Sequence, residues 1–207
     1  MQHWVTCFKW KRQVMLAIGQ RAEHYKGMSD FTGDHAAPTG SPVTPVYTLF
    51  AAFRVSSTHP FVVDGRDVPG LIQELEDVVE MLANENVTVR GWYDVSGMHH
   101  DDDLLVWLHG DAAEDLQWGL REIRRSAIIR PLIRVSSALG LHGGTRAVPA
   151  LREDAQQWLT VERRGPLNLG IYEADDLTEL APKLEGVTEH TRTGRFIELV
   201  EIIEVLQ

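Results

Sequence analysis

The sequence predicts an α+β fold in which strands and helices follow one another in the order βαββαβ over residues 46–142. Three observations predict it: four apolar segments have the length of strands, two segments have the helical period, and turn residues separate them. The chain has 207 residues, of which 43% are hydrophobic and 24% charged. That is enough apolar material for one sizeable domain or two small ones.

The first strand and the first helix are predicted between residues 46 and 86. The segment 46–55, VYTLFAAFRV, is rich in the β-branched and aromatic residues that strands favour. A turn-like DGRDVPG follows, in which Asp67 is a candidate N-cap and Pro69 is tolerated in the first turn. The next apolar residues recur at three and four positions, the helical period: Val68, Leu71, Leu75, Val78 and Leu82.

The second half of the pattern occupies residues 87–142. VTVRGWYDV alternates like a strand, and DLLVWLH is a second apolar strand. Asp111 and Glu114 resemble a capping box, which begins another helix. The apolar stripe of that helix comprises Ala113, Leu116, Leu120, Ile123 and Ala127. The segment 133–142, IRVSSALGLH, is the last strand, and the complete order is the ferredoxin-like pattern.

The connection SGMHHDDD between the two central strands admits two interpretations. It is a solvated turn, or it captures a metal ion through His100 and Asp102. Adjacent side chains of an extended chain point to opposite faces, so His99 and His100 do not readily share one ion. No third ligand stands at a fixed spacing. The turn is therefore the favoured interpretation.

Composition narrows the possible partners and compartments. The formal charge of −10 and the pI of about 5.3 repel phosphate backbones, so nucleic-acid binding is not expected. No apolar run reaches the roughly 18 residues that span a bilayer, so no membrane partner is expected. Cys7 is the single cysteine, which is compatible with a reducing, cytoplasmic location.

Residues 1–45 are expected to be a flexible N-terminal extension. Residues 1–27 are basic at first and lack the continuous apolar region of a signal peptide. Met28 opens MSDFTGDHAAPTGSPVTP, whose Pro, Gly, Ser and Thr content is typical of a mobile tail. Our hypothesis is that Met28 is the native start, which the intact mass of the natural protein would test.

At this point the sequence resembles a known family. The run ELEDVVEMLANENVTVRGWYDVSGMHHDDDLLVWLHGDAAEDLQWGLREIRRS is similar to the chlorite dismutase family, most of all to its coproheme decarboxylase branch. EADDLTEL and TGRFIELVEIIEVL resemble the final helix and the TGR-containing tail of that family. The resemblance covers residues 46–142 and, less closely, residues 167–207.

The resemblance implies an architecture, a cofactor and an activity. Members of the family are built from two ferredoxin-like halves of the dimeric α+β barrel type, commonly form rings of five and hold an iron porphyrin in the second half. The coproheme decarboxylase branch uses peroxide to convert iron coproporphyrin III (coproheme) to haem b. The implied cofactor is therefore coproheme or haem b, and the implied assembly is a homo-pentamer.

The sequence departs from the family where the chemistry is carried. Ala147 stands where the family has a distal histidine, and Glu162 stands where it has a radical-forming tyrosine. A carboxylate cannot replace a phenol as an oxidisable hydrogen-atom donor. From Pro166 the chain continues directly with LNLGIYEADD, so the helix that carries the iron ligand is predicted to be deleted. Residues 143–207 are then a truncated second half, and Pro182 is expected to break its last helix.

No catalytic residue is therefore predicted, but several binding candidates remain. Arg195 matches the arginine of the TGR motif, and Thr193 is the threonine of the same motif. Arg163 lies near the expected porphyrin site. Four arginines could pair with the propionates of a porphyrin: Arg163, Arg164, Arg192 and Arg195. A solvated strand end explains Arg163 and Arg164 equally well. His190 is the candidate substitute iron ligand, and His142 is interpreted as a strand-end residue. Three tryptophans are assigned to the core or to subunit contacts: Trp92, Trp107 and Trp118.

Three functional hypotheses follow from the sequence. The first is a haem enzyme like a coproheme decarboxylase. The second is a non-catalytic module that assembles with itself, joins rings of a full-length relative or binds another partner. The third is a degenerate product whose uncovered sheet face drives aggregation.

Overall fold

Seven antiparallel strands form one sheet in the computed structural model, which describes residues 46–142, 154–163, 169–184 and 191–207. The strands are β1 (Val46–Arg54), β2 (Val87–Asp94), β3 (Leu104–Gly110), β4 (Ile133–His142), β5 (Trp158–Arg163), β6 (Leu169–Ala174) and β7 (Thr191–Ile197). The helices are α1 (Val68–Asn84), α2 (Ala113–Ile123), α3 (Leu177–Leu184) and α4 (Ile202–Leu206), the last preceded by a 3-10 turn at Leu199–Glu201. The order of strands across the sheet is β4-β1-β3-β2-β7-β5-β6.

Residues 46–142 confirm the predicted ferredoxin-like pattern. Their elements follow the order βαββαβ, and their strands lie side by side as β4-β1-β3-β2. Both helices pack on one face of these strands, where the apolar stripes of α1 and α2 meet the sheet. The three tryptophans assigned to the core are in the core as predicted: Trp92 and Trp118 belong to the core under the helices, and Trp107 is buried on the opposite face of the sheet.

The strands after residue 157 repeat most of the same pattern. In the sheet, β7, β5 and β6 lie side by side in the same way as β4, β1 and β3, the fourth, first and third strands of the first pattern. In the first pattern a helix and a strand come between the first and third strands. Here only residues 164–168 connect β5 to β6. A crossover helix alone takes about a dozen residues, so this connection cannot contain a helix and a strand.

The sheet continues without a break from the first set of strands to the second. Strand β2 pairs with β7 through Trp92↔Ile197, Tyr93↔Phe196 and Asp94↔Arg195. The division at residue 142 into two domains stays a prediction, because the described strands on both sides of it share one sheet.

The two faces of the sheet bury different apolar sets because side chains alternate along each strand. The outer face carries α1, α2 and α4, and its core contains Phe53, Trp92 and Val106. The inner face is the concave one, and its core joins β1, β2 and β3 to β5: Phe50, Ala52, Tyr93, Val95, Leu105, Trp107, Leu159 and Val161. The sheet thus curls around a packed interior.

The edges of the curled sheet approach each other at one point, which we call the seam. A Cβ atom on Gly140 of β4 would lie 2.9 Å from Cδ1 of Leu169 on β6. A larger residue at that position would have to displace the side chain of Leu169, which closes the interior there. Strands β4 and β6 are the two edge strands among the strands that the structure describes.

Helix boundaries depart from the sequence prediction in two places. Asp67 occupies the N-cap position of α1 as predicted, but its side chain makes no cap hydrogen bond. The capping box predicted at Asp111 is wrong, because the N-cap residue of α2 is Ala112. Glu114 and Asp115 in the first turn favour that end of the helix through its dipole. The predicted break at Pro182 is also wrong, since α3 continues to Leu184. Pro182 lacks the N–H that would bond to the carbonyl four residues earlier, yet the two residues after it remain helical.

None of the helices in the described ranges is both long and apolar enough to cross a membrane.

Candidate functional site

The predicted binding residues lie on two opposite faces of the sheet. Along β7, Arg192 faces the interior beside Val161, whereas Thr193 faces outward and contacts Thr160. Arg195 follows Thr193 on the outer face by alternation. Arg163 faces the interior together with Arg192. The structure therefore brings Thr193 and Arg195 together and separates them from Arg163.

The outer face near β5 and β7 is polar. The hydroxyls of Thr160 and Thr193 are 3.1 Å apart. The guanidinium of Arg195 lies 3.5 Å from a carboxylate oxygen of Glu201 and 4.0 Å from one of Asp94. Glu162, at the position of the expected tyrosine, pairs in register with Thr191 on the same face. The carboxylates near Arg195 are thus supplied by the chain itself.

The inner face contains a small cleft of about 70 Å³ beside the seam. Its lining combines apolar, hydroxyl and guanidinium groups: Phe50, Ala52, Leu105, Ser136, Ser137, Ala138, Val161, Arg163, Leu169 and Arg192. Strands β4, β5, β6 and β7 all contribute, so the curl of the sheet creates the cleft. This is where the structure places Arg163 and Arg192.

The HHDDD segment, residues 99–103, has a solvent-exposed part and a buried part. His100 and Asp101 are exposed and pair with each other at 2.9 Å, which confirms the predicted turn for these two residues. Asp102 is only 2% exposed, so the solvated turn is wrong for it. Its carboxylate contacts Nε of Arg192 and lies 3.4 Å from Nδ1 of His99. Among the described residues no group of three metal-ligating side chains is present.

A second interaction across the interior joins Arg90 to Glu173. Nε and Nη2 of Arg90 donate to the two carboxylate oxygens of Glu173 at 3.1 and 2.7 Å, and Nη2 also donates to the carbonyl of Asp154 at 3.0 Å. The guanidinium carbon lies 4.9 Å from the ring centroid of Trp107. Both charged side chains are buried. The pair links β2 to β6, two strands that are not neighbours in the sheet.

Tyr93 is the most unusual buried side chain of the interior. Its side chain is completely buried, and its hydroxyl has no hydrogen-bond partner within the described part of the chain. The ring meets Phe196 edge-on, with centroids 6.0 Å apart. Burial raises the pKa of the Tyr93 phenol well above its usual range, and the negative charge of Glu173 raises it further while Arg90 opposes the shift.

Sequence reasoning missed all three of these interior features. The partner of Asp102 is 90 positions away and that of Arg90 is 83 positions away, so neither pair leaves a local motif. Ala147, Arg164 and His190 lie outside the described residues. His142 ends β4, as interpreted, and its side chain lies outside the described part.

The curled sheet with its helices on one face defines a ferredoxin-like α+β protein. Residues 69–157 match the family model described as chlorite dismutase. The crystal structure of TA0507, described as a chlorite dismutase, has a TM-score of 0.60 and 13% identity over 79% of this chain and 100% of that one. Chlorite dismutase from Candidatus Nitrospira defluvii in complex with imidazole gives a TM-score of 0.57 and 16% identity over 78% of this chain and 95% of that one.

One curated relative carries a more specific name. Coproheme decarboxylase from Mycolicibacterium smegmatis is 33% identical over 97 residues, which are 46% of this chain and 40% of that protein. The chain thus matches less than half the length of this relative. The resemblance to the chlorite dismutase family that the sequence indicates is confirmed, and so is the fold class.

The described residues do not fit an iron porphyrin on either face. A haem iron needs an axial ligand, and its pocket must control polarity and access. The outer face presents two threonines, Glu162 and Arg195 where an apolar slot would be needed. The cleft beside the seam has no histidine in its lining and, at about 70 Å³, is small beside the roughly 300–1,000 Å³ of ordinary small-molecule sites. A larger cleft of about 420 Å³ includes His109, but its lining carries the charged groups of Arg90, Asp154 and Glu198 instead of an apolar slot.

Proposed function

We propose that this chain is a chlorite dismutase-type protein without porphyrin chemistry, acting as a non-catalytic assembly or partner-binding module in the cytoplasm. The observation that carries the proposal is the connection between β5 and β6. Residues 164–168 are too few for the helix that, by the family resemblance, carries the iron ligand. Glu162 at the tyrosine position and the polar outer face support the same conclusion.

The extent of the family match supports this proposal as well. It covers residues 69–157 and so stops just before β5. A ferredoxin-like first half that retains the family sequence beside a reduced second half is suited to assembly. The partners we propose are further copies of this chain, up to the pentamer of the family, or a full-length relative.

The first test is a titration of the purified protein with ferric coproporphyrin III, followed at the Soret band. We expect no saturable shift beyond that of free porphyrin, because no cleft among the described residues combines an axial ligand with an apolar slot. Coproheme decarboxylase from Mycolicibacterium smegmatis, titrated in parallel, is the positive control. A saturable shift of the Soret band near one equivalent per chain would contradict the proposal that the chain does not bind porphyrin.

A second candidate function is that of a coproheme decarboxylase, which forms haem b from coproheme with peroxide. The 33% identity to the Mycolicibacterium smegmatis enzyme and the TGR motif at Thr193 to Arg195 favour it. It predicts that peroxide added to the loaded protein yields haem b on product analysis. A loaded protein that leaves coproheme unchanged would retain the binding function without the reaction.

The assembly role has its own test in sedimentation velocity over a wide range of protein concentrations. We expect species larger than the 23.3 kDa chain. Mixing with a full-length relative would reveal hetero-oligomers as a change in sedimentation of both proteins. A single monomeric species at every concentration, alone and in the mixture, would contradict the assembly role.

A further inference from the structure

The surface around the C-terminal end of α2 carries a concentration of positive charge. Residues 121–134, REIRRSAIIRPLIR, contain five arginines and one glutamate, in a chain whose formal charge is −10. We call these residues the basic segment. All of its arginines are exposed: Arg121, Arg124, Arg125, Arg130 and Arg134. The basic segment therefore reverses locally the sign of the charge of the whole chain.

Neighbouring carboxylates compensate the basic segment only in part. Arg125 pairs with Glu122 at 2.6 Å. The guanidinium groups of the other four arginines make no hydrogen bond or ion pair with any residue that the structure describes. Glu74 of α1 also lies beside the segment, because its carboxylate accepts a hydrogen bond of 3.1 Å from the backbone N–H of Ala127. With both carboxylates counted, an excess of three positive charges remains.

The core holds the backbone of the basic segment in place. Ile128, Ile129 and Leu132 are buried in the core under the helices. The buried hydroxyl of Ser126 donates a hydrogen bond of 2.8 Å to the carbonyl of Ile123. The arginines therefore project from a fixed backbone, so a partner that binds them has less backbone entropy to remove.

The neighbouring helix α1 presents the opposite charge. Its 17 residues contain four acidic side chains and no basic one. We call the four acidic residues the acidic face, and all of them are exposed: Glu74, Glu76, Asp77 and Glu80. They lie on the side of the helix opposite buried Ile72 and Leu75. The hydrogen bond between Glu74 and Ala127 places the acidic face directly beside the basic segment.

The two adjacent patches select the kind of partner. A phosphate backbone or an anionic membrane that approached the arginines would also meet the acidic face, and the two would repel each other. A second copy of the chain carries both charges, so its acidic face can cover the arginines of the first copy. Complementary charges of this kind steer partners together and fix their orientation.

We propose that copies of this chain associate by docking the acidic face of one copy on the basic segment of another. Because the contact joins two different patches, each copy can engage a neighbour with either patch, which a closed ring requires. This inference rests on the assembly role proposed above and names the surface that performs it.

Charge reversal of each patch, followed by sedimentation velocity, tests the contact. Glu76→Lys with Glu80→Lys reverses part of the acidic face and leaves the hydrogen bond of Glu74 intact. Arg124→Glu with Arg130→Glu reverses part of the basic segment. We expect each double variant to associate at least about a hundredfold more weakly than the parent, since like charges then face each other. Circular dichroism establishes that each variant is folded.

A mixture of the two double variants is the most specific experiment. The reversed acidic face of one variant is complementary to the reversed basic segment of the other, so the mixture should recover the association that neither variant shows alone. Glu179→Lys, an exposed change on α3, is the matched control for the single change Glu80→Lys and should leave association unchanged. Raising the salt from about 0.05 M to about 0.5 M shortens the screening length severalfold and should weaken association of the parent.

The outcomes separate this interface from the assembly role itself. If the parent is monomeric at every concentration, self-association fails altogether, and this interface fails with it. If the parent associates and the double variants associate equally well, the assembly role stands and this interface is wrong. A mixture that does not recover association would show that the two patches are not partners. If Arg124→Glu with Arg130→Glu sediments like the parent but no longer binds phosphatidylserine vesicles, the arginines serve a membrane and the proposal is overturned.

Discussion

At the scale of single residues, Arg90 and Glu173 form the pair whose loss should cost most. Both side chains are buried, the contact is bidentate, and Arg90 also lies over Trp107. Glu173→Gln would leave a buried guanidinium without its counter-charge, so we expect a loss of about 3 kcal/mol in the free energy of unfolding. Urea denaturation measures it.

The matched control for that variant is Asp64→Asn. Asp64 pairs with Arg66 at a similar distance, 2.8 Å, but both side chains are in solvent. Water screens such a pair, so the midpoint of denaturation should not move. Equal effects of Glu173→Gln and Asp64→Asn would show that the interior pair does not stabilise the fold.

Tyr93 offers a substitution that should stabilise the protein. Its hydroxyl is buried and has no partner among the described residues. Tyr93→Phe removes the unsatisfied group and keeps the ring contact with Phe196, so we expect a gain of about 1 kcal/mol at neutral pH. A loss of stability in urea denaturation would mean that the hydroxyl is satisfied.

The same tyrosine gives a prediction for alkaline pH. The pKa of Tyr93 is raised in the folded protein, chiefly by burial, whereas the unfolded phenol ionises near about 10. Above that pH the unfolded chain holds fewer protons than the folded one, so the free energy of unfolding falls as pH rises. Tyr93→Phe should lose stability less steeply than the parent between pH 10 and 11. Parallel curves for the two proteins would contradict the raised pKa.

At the scale of elements, the connection between β2 and β3 is a fixed part of the sheet. Asp102 contacts Arg192 on β7, and the carboxylate of Asp103 accepts a hydrogen bond of 2.7 Å from the backbone N–H of Val55. The backbone N–H of Asp103 donates to the carbonyl of Phe53 at 2.8 Å. The connection thus joins the end of β1 to β7.

Asp102→Asn and Asp101→Asn test this role with the same chemical change at adjacent positions. Asp102→Asn removes the charge that faces buried Arg192, so we expect the free energy of unfolding to fall by about 3 kcal/mol. Asp101 is exposed beside His100, so Asp101→Asn should change little. Denaturation curves that shift equally for both would show that the segment is a solvated turn throughout.

The elements also show what the sequence could and could not predict. The strands and helices of residues 46–142 were predictable because their apolar periods are local, as in α1 with Leu75 and Leu82. The opposite faces of Arg163 and Thr193 depend on the register of β5 and β7. The pairs Asp102–Arg192 and Arg90–Glu173 depend on the curl of the sheet, and neither register nor curl is encoded in a short window.

At the scale of the whole molecule, the second set of strands is incomplete yet attached at several places. Strand β7 pairs with β2, the Arg90–Glu173 pair crosses the interior, and Leu169 closes the seam against Gly140. The interior core contains Leu159 and Val161 of β5 together with Tyr93 and Trp107. A reduced second half can therefore stay folded because the first half supplies most of its packing partners.

This attachment predicts one cooperative unfolding unit across the described strands. Amides of β3 and β5 should exchange hydrogen at the same free energy of opening, since each set of strands covers the interior of the other. Glu173→Gln on β6 should lower both values by the same amount. Much faster exchange in β5 to β7 than in β3, with β3 unaffected by Glu173→Gln, would instead divide the protein near residue 142 into two units. A thermal transition with no cooperative step would favour the poorly folding, aggregating product among the three hypotheses.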